Sequence, residues 1–272
     1  MKKIKVIWLF LSLLTSKSLL ATASVPSLND CPDMIFIDGV QTNSDPSNGS
    51  GGAYPGALQR TINIDNTYYY YIPSSYQVEK PLPLMIVWHG AAGAGNANLA
   101  AINMRNFWQT AAEQHHFIVV AQAATGSNGG WIPTTDSSRL GAIISDMDGR
   151  YNIEKNRKYI WGFSAGGFVG HALALNNADY FAAYAVSGAD LSYANNAGYT
   201  PASAARQLPV FISVGQSDSY YNSAQNDMTN FTNAGWIMDR NIWFDGFIGG
   251  HELLNDLPEK AWNKICISTL LD

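Results

Sequence analysis

The chain has 272 residues, of which 47% are hydrophobic and 14% are charged. This composition is typical of a globular protein with a sizeable core, and the length fits one large domain or two small ones. The formal net charge is −5, and no basic block follows the first five residues, so nothing indicates nucleic-acid binding.

The first 23 residues have the organisation of a secretory signal peptide. A basic start is followed by an apolar run at 6–14, and small residues stand at 21–23. We expect cleavage near Ala23 and a secreted or periplasmic protein without a stable membrane anchor; an uncleaved anchor is the alternative. No other stretch approaches the roughly 20 apolar residues that a spanning helix needs.

Two cysteines, Cys31 and Cys266, lie near opposite ends of the mature chain. Export favours a disulfide between them, which would tie the N-terminal extension to the last helix. The alternative is two buried free thiols. Two widely separated cysteines do not predict a metal site, so we expect neither a metal nor a cofactor.

Residues 24–56 are interpreted as an N-terminal extension that ends in a surface loop. The stretch 40–56 (VQTNSDPSNGSGGAYPG) is rich in Gly, Ser, Asn and Pro. We place the main domain at 57–272.

From residue 60 onwards, β-rich runs alternate with helical patterns. A hairpin is predicted from the runs 60–64 and 67–72, which Asp65-Asn66 separates. Further strands are predicted at 84–88, 117–121, 158–162, 181–187, 210–214 and 241–244, and helices at 104–115, 138–151, 165–176, 226–234 and 257–271. Continuous apolar strands alternating with helices predict an α/β fold, with a mostly parallel central sheet covered by helices on both faces. Functional loops are expected at the carboxyl ends of its strands.

The stretch YIWGFSAGGFVGH (159–171) contains the G-x-S-x-G pattern around Ser164. The pattern alone is weak, but here it stands between a β-rich run and a small-residue helix. Such a turn strains the serine backbone, so the side chains at Gly162 and Gly166 must be small. Gly167 and Gly170 are expected to let the helix pack closely on the sheet. Ser164 is therefore our candidate nucleophile; the alternative is a purely structural turn.

A serine nucleophile needs a histidine base, and the chain has five histidines. His251 lies in the loop FIGGHE after the last strand, and we choose it as the base; a surface loop histidine is the alternative. His171 is expected to have a packing role. His115 and His116 are expected at the opposite edge of the sheet.

The base in turn needs an orienting carboxylate. Asp218 follows the strand PVFISV directly and is our choice. Asp245 is the second choice, and Asp227 is interpreted as a helix cap or a solvated residue. The resulting order of Ser, Asp and His along the chain is that of α/β-hydrolases.

Two backbone N–H groups must face the developing oxyanion. Ala165, at the start of the helix after Ser164, is expected to supply one of them. The loop HGAAGAG (89–95) is expected to supply the other from Ala91, with His89 bracing the loop through hydrogen bonds. The alternative is a merely flexible Gly/Ala loop.

Four segments, WHGAAG, RYNIEKNRKYIWGFSAGG, FAAYAVSGA and VGQSD, occur in this order. In these segments the chain resembles the secreted esterases of the polyhydroxybutyrate-depolymerase and feruloyl or acetyl xylan esterase group. The resemblance covers roughly residues 60–262. The resemblance implies the α/β-hydrolase fold and ester hydrolysis by Ser164, Asp218 and His251. Trp131 in GGWIP resembles a tryptophan of that group, which implies a place at the substrate cleft; a surface or core aromatic is the alternative. His89 is also expected to contribute to substrate binding.

The sequence thus predicts a secreted serine esterase that forms an acyl-enzyme on a carboxylic ester. Polymer or plant cell-wall esters are the expected substrates, and no nucleic-acid partner is expected. A serine peptidase or another acyl-transfer enzyme on the same fold is the first alternative. A hydrolase-like binding protein without catalysis is the second. The sequence does not determine the oligomeric state.

Overall fold

In the computed structural model of the protein, which describes residues 44–63 and 65–270, an eight-stranded sheet forms the centre of the fold. Its strands are β1 (Gly56–Ile62), β2 (Asn66–Ile72), β3 (Leu82–Trp88), β4 (Ile118–Gln122), β5 (Ile153–Phe163), β6 (Ala183–Ser187), β7 (Val210–Gly215) and β8 (Ile242–Phe247). The strand order is β1-β2-β4-β3-β5-β6-β7-β8. The pairs β1–β2 and β2–β4 are antiparallel and all the other neighbours are parallel, so the predicted mostly parallel sheet is confirmed.

Besides these strands, the described region contains six α-helices and one 3-10 turn. The helices are α1 (Ala97–His115), α2 (Pro133–Arg150), α3 (Ala165–Asn176), α4 (Ser192–Asn196), α5 (Tyr221–Asn233) and α6 (Leu257–Ile265), and the 3-10 turn is Pro201–Ser203. None of the helices in the described ranges is long and apolar enough to cross a membrane.

The sheet separates two apolar clusters, because side chains along a strand point alternately to its two faces. On β3, Ile86 belongs to the cluster that includes residues of α2, α3 and α5. Its neighbours Met85 and Val87 belong to the cluster that includes residues of α1 and α6. All three side chains are fully buried. Helices therefore cover both faces, as the continuous apolar strands predict.

Several element boundaries differ from the prediction. α1 begins at Ala97 and not at residue 104. The prediction missed its first turns because they carry no clear apolar period. α6 ends at Ile265, well before the predicted end at residue 271; the chain turns there, with Ser268 N–H donating to Ile265 O at 3.1 Å. α4 was not predicted, because five residues are too few to show a helical period.

Residues 44–55 lie against the beginning of β5. Ser47 N–H donates to Ile153 O at 2.8 Å, and Lys155 N–H donates to Asp45 O at 2.9 Å. This part of the expected surface loop is thus fixed by backbone hydrogen bonds.

The predictions for the signal peptide (1–23), for most of the extension and for Cys31 lie outside the described residues. Cys266 directly follows α6 and is 1% exposed. Its pairing with Cys31 stays a prediction.

Candidate active site

Ser164 lies in the turn between β5 and α3, at the carboxyl edge of the sheet. Its backbone has φ 51° and ψ −121°, in the positive-φ region that non-glycine residues rarely adopt. Its N–H donates to Ser187 O on the neighbouring β6 at 2.9 Å, which holds the turn in this conformation. The strained turn expected from the G-x-S-x-G pattern is present.

The four glycines around Ser164 have different neighbours. A Cβ on Gly162 would lie 2.3 Å from Gly166 O, and one on Gly166 would lie 2.5 Å from His89 O. A Cβ on Gly167 would lie 2.8 Å from Ala189 Cβ, so this glycine does permit close packing of α3. A Cβ on Gly170 would lie 3.9 Å from its nearest neighbour, which is ordinary contact, so α3 does not need a glycine there.

Ser164, His251 and Asp218 form a continuous hydrogen-bonded chain. His251 Nε2 lies 2.8 Å from Ser164 Oγ, and His251 Nδ1 lies 2.7 Å from Asp218 Oδ2. The Asp218 side chain is 1% exposed and that of His251 is 38% exposed. Because a carboxylate accepts only, Nδ1 carries a proton and Nε2 is free to accept one from the serine hydroxyl.

The loops that carry Asp218 and His251 are bound to each other by their backbones. Gln216 N–H donates to Phe247 O at 2.8 Å, and Ser217 N–H donates to Gly249 O at 2.8 Å. The second oxygen of Asp218 accepts the Tyr220 N–H at 3.0 Å, which fixes the rotation of the carboxylate. The acid and the base are thus held by the ends of two paired strands, β7 and β8.

The His251 imidazole has close ring neighbours on two sides. Phe163 stacks on it, with ring centroids 5.1 Å apart and an interplanar angle of 28°. Tyr220 approaches with its centroid 5.7 Å away at 61°. Gly188, in the loop after β6, has φ +60°, and a Cβ there would lie 3.0 Å from His251 Cε1. These three neighbours were not predicted, because no sequence pattern indicates which loops meet a given ring.

The loop after β3 passes directly beside the nucleophile. A Cβ on Gly90 would lie 3.2 Å from Ser164 Cβ, so this loop runs close to the turn and has little room for a side chain there. Ala91 follows Gly90, and Ala165 is the first residue of α3. Both expected N–H donors therefore belong to backbone segments that adjoin Ser164.

His89 lies in the interior, with 1% of its surface exposed. Nε2 accepts the Ala124 N–H at 3.1 Å, so Nδ1 carries the proton and donates to Gly90 O at 2.5 Å. Burial lowers the pKa of His89 and keeps the ring neutral. Both nitrogens are occupied, so His89 has no polar atom left for a substrate. These bonds are those of the expected brace, and they do not fit the expected place of His89 at the substrate cleft.

Trp131 also supports the loop after β3. Its Nε1–H donates to His89 O at 2.8 Å, and its ring stacks on Trp88 with centroids 4.4 Å apart at 18°. The side chain is half-buried against the core. These contacts favour the alternative of a core aromatic over a role in the cleft.

Asp136 on α2 is a fully buried residue that the sequence analysis missed. Its carboxylate accepts the Ile132 N–H at 2.6 Å and the Thr125 N–H at 3.1 Å. Burial raises the pKa of Asp136, and these hydrogen bonds oppose the rise. Asp136 thus fixes the loop between β4 and α2, which carries Trp131.

The other two aspartates considered for the site have different partners. Asp245 lies 3.2 Å from Lys260 Nζ. Asp227 is 5% exposed inside α5 and accepts the Leu191 N–H at 2.8 Å. Its interpretation as a solvated residue is wrong, because the helix face that carries it packs inward. Burial raises the pKa of Asp227 to about 6.

The remaining histidines lie away from Ser164. His171 is fully buried, its Nδ1 lies 3.0 Å from Tyr184 Oη, and burial lowers its pKa to about 3. His115 pairs with Glu259 at 2.7 Å, and His116 Nδ1 lies 2.7 Å from Ser75 Oγ. In the described part of the chain, no group of three or more His, Cys, Asp or Glu side chains is placed to hold a metal ion.

The comparisons with known proteins point to esterases. No protein-family model matches the chain. A probable feruloyl esterase C from Aspergillus flavus is 27% identical over 173 residues, which are 61% of this chain and 63% of that protein. A bifunctional acetylxylan esterase/xylanase from Neocallimastix patriciarum is 32% identical over 159 residues, 57% of this chain and 22% of that protein. The match thus spans less than two thirds of either relative.

A solved ferulic acid esterase superposes with a TM-score of 0.60 at 16% identity, covering 76% of this chain and 98% of that one. At this identity the superposition shows the fold alone. The resemblance to feruloyl and acetylxylan esterases is confirmed by the named relatives. The chain therefore has the α/β-hydrolase fold, and it is similar in sequence to esterases of the feruloyl and acetylxylan group.

Proposed function

We propose that the protein is a serine esterase that hydrolyses carboxylic esters through an acyl-enzyme. The observation that carries this proposal is the hydrogen-bonded chain from Asp218 through His251 to Ser164, with distances of 2.7 and 2.8 Å. A serine hydroxyl is a weak nucleophile on its own and is activated by a base that a third group orients. The named relatives, which are esterases, support the same reaction class.

In the proposed mechanism, Ser164 Oγ attacks the ester carbonyl while its proton passes to His251 Nε2. Asp218 holds the imidazole and stabilises the imidazolium that forms. The Ala165 and Ala91 N–H groups bind the oxyanion, and the positive end of the α3 dipole favours negative charge at the same place. The imidazolium returns the proton to the departing alkoxide oxygen. Water, deprotonated by His251, then releases the acid and restores the Ser164 hydroxyl.

We propose plant cell-wall or other polymeric esters as the substrate class, and a secreted or periplasmic location. The relatives' names, which mention feruloyl and acetylxylan esters, support the first part. The signal-peptide pattern of residues 1–23 supports the second.

The experiment is a hydrolysis panel on the purified chain: short p-nitrophenyl esters, acetylated xylan, feruloyl esters, hydroxyalkanoate oligomers and peptide p-nitroanilides. We expect turnover of esters and not of anilides, and Ser164→Ala is expected to lower kcat by at least about 10³-fold. Ser217→Ala, an exposed serine near the site, is the matched control and is expected to stay within about twofold of wild type, as for other surface substitutions.

Three results contradict the proposal, each in a different way. If Ser164→Ala is as active as wild type, Ser164 is not the nucleophile. Preference for the anilides favours a peptidase. Absence of both turnover and labelling by a fluorophosphonate favours a binding protein without catalysis.

A further inference from the structure

Phe163, the last residue of β5, directly precedes the nucleophile Ser164 in the chain and lies against the base His251. It is the variable residue before the serine in the pattern G-F-S-A-G. Its side chain is half-buried, and its ring stacks on the His251 imidazole, with centroids 5.1 Å apart and an interplanar angle of 28°. The same short segment therefore presents the Ser164 hydroxyl and a flat apolar face to His251.

The Phe163 ring is itself held by two loops. A Cβ on Gly90 would lie 3.1 Å from Phe163 Cδ1, and a Cβ on Gly188 would lie 3.3 Å from Phe163 Cε2. The loops after β3 and β6 thus pass close to the edges of the ring and leave no free room for a side chain there. Because backbone shifts less readily than a flexible side chain, these two loops limit the movement of the ring away from His251.

The imidazole needs this support because much of it is open to solvent. Its side chain is 38% exposed, and its two ring nitrogens are hydrogen-bonded to Asp218 and Ser164. In an imidazole the N–H bond and the nitrogen lone pair both lie in the ring plane. Hydrogen bonds in the plane fix the direction of the ring nitrogens, but they resist tilting of the ring only weakly. A stacked neighbour opposes that tilt.

We propose, on the basis of the proposed function, that Phe163 is a positioning residue that keeps the His251 ring in line with Ser164 Oγ. The phenyl face also attracts the imidazolium that forms when His251 takes the serine proton, because the face of an aromatic ring carries negative charge density. Both effects act on the chemical step and not on substrate binding. The aromatic ring, rather than apolar volume alone, is the required property.

The test compares Phe163→Leu, which keeps an apolar side chain without a π face, with Phe163→Tyr, which keeps the ring. We expect Phe163→Leu to lower kcat about three- to tenfold with KM within about twofold, and Phe163→Tyr to restore most of the rate. Phe107→Leu, at a half-buried phenylalanine of α1 whose ring contacts Trp161, is the matched control and should keep wild-type kcat. Phe163→Met is a second non-aromatic variant if the leucine variant does not fold.

A second readout does not depend on turnover. The proton between His251 Nδ1 and Asp218 gives a downfield NMR signal, which is assigned by its loss in His251→Asn. We expect this signal to stay sharp in wild type and Phe163→Tyr and to broaden through exchange with water in Phe163→Leu. Thermal melting checks that all variants are folded.

The outcomes separate the two proposals. Wild-type kcat and a sharp signal in Phe163→Leu overturn the role of Phe163, and so does an equal loss in Phe163→Leu and Phe163→Tyr. If no ester is turned over, or if Ser164→Ala keeps full activity, the proposed function fails, while the NMR comparison still decides whether Phe163 holds the ring.

Discussion

Leu191 donates its backbone N–H to the Asp227 carboxylate at 2.8 Å. This hydrogen bond joins the loop after β6 to helix α5, and each of these segments lies near a neighbour of His251. Leu191 lies three residues after Gly188, where an added Cβ would lie 3.0 Å from His251 Cε1. Asp227 is on α5, which begins three residues after Asp218. A buried carboxylate therefore fixes the distance between the loop after β6 and the helix after the acid loop.

This buried carboxylate makes stability depend on pH. Burial, with a further contribution from Asp190, raises the pKa of Asp227 to about 6, above the 3.8 of an unperturbed aspartate. The folded state therefore holds this proton more tightly than the unfolded state. As pH rises from about 4 to about 6 the unfolded chain loses the proton first, so this group's contribution to stability falls by about 2–3 kcal/mol.

Asp227→Asn removes this titration and keeps an oxygen that accepts the Leu191 N–H. Urea unfolding gives the free energy of unfolding of the variant and of wild type at each pH. We expect the value for the variant minus the value for wild type to be about 2 kcal/mol larger at pH 7 than at pH 4. Asp179→Asn, at an exposed aspartate, is the control for the change in net charge. A difference between variant and wild type that is the same at both pH values contradicts the prediction.

The carboxylate that orients His251 can be identified by two asparagine variants. Asp218→Asn replaces the acceptor of the Nδ1–H with an amide that can donate to the ring and favour the wrong tautomer. We expect kcat to fall about 10²- to 10⁴-fold. Asp245→Asn removes only a contact with Lys260 and is expected to stay within about twofold.

Steady-state kinetics on a p-nitrophenyl ester measures both aspartate variants. A larger loss in Asp245→Asn than in Asp218→Asn would reverse the assignment.

Two glycines of α3 are expected to respond in opposite directions to the same change. In Gly166→Ala the new Cβ would meet His89 O at 2.5 Å and Trp88 O at 2.7 Å, both backbone atoms of the strand end and loop that adjoin Ser164. We expect a loss of stability of several kcal/mol, or no soluble protein, because the core does not accept this overlap.

In Gly170→Ala the new Cβ meets only Val186 Cγ1 at 3.9 Å. Alanine favours the helix over glycine by roughly 0.5–1 kcal/mol, so this variant is expected to unfold at higher urea concentration than wild type. The finding that would refute this reasoning is a similar midpoint for Gly166→Ala and Gly170→Ala.

The pairing of the two cysteines is open to a chemical test. We expect the denatured, unreduced protein to show no reactive thiol and the reduced protein to show two, because the chain contains only Cys31 and Cys266. Since Cys266 is 1% exposed, the titration must be done in denaturant. Two thiols without reductant would establish the alternative of free cysteines.

The sequence by itself determined the fold class and the order of its elements. Buried parallel strands such as β3 and β5 are continuous apolar runs, and the helices between them have their own spacing; both patterns arise from local backbone geometry. It also placed Ser164 in a strained turn and singled out Asp218 and His251, because all three follow strands whose carboxyl ends meet at one edge of the sheet.

Only the tertiary structure decided which groups surround these three residues. It buried Asp227 and Asp136, placed Trp131 as a support of the loop after β3, and stacked Phe163 on His251. It also leaves no room for a Cβ at Gly166 and ample room at Gly170. These facts depend on distances between segments far apart in the chain. Local periodicity carries no information about such distances, because they are set by how the sheet twists and how its loops pack together.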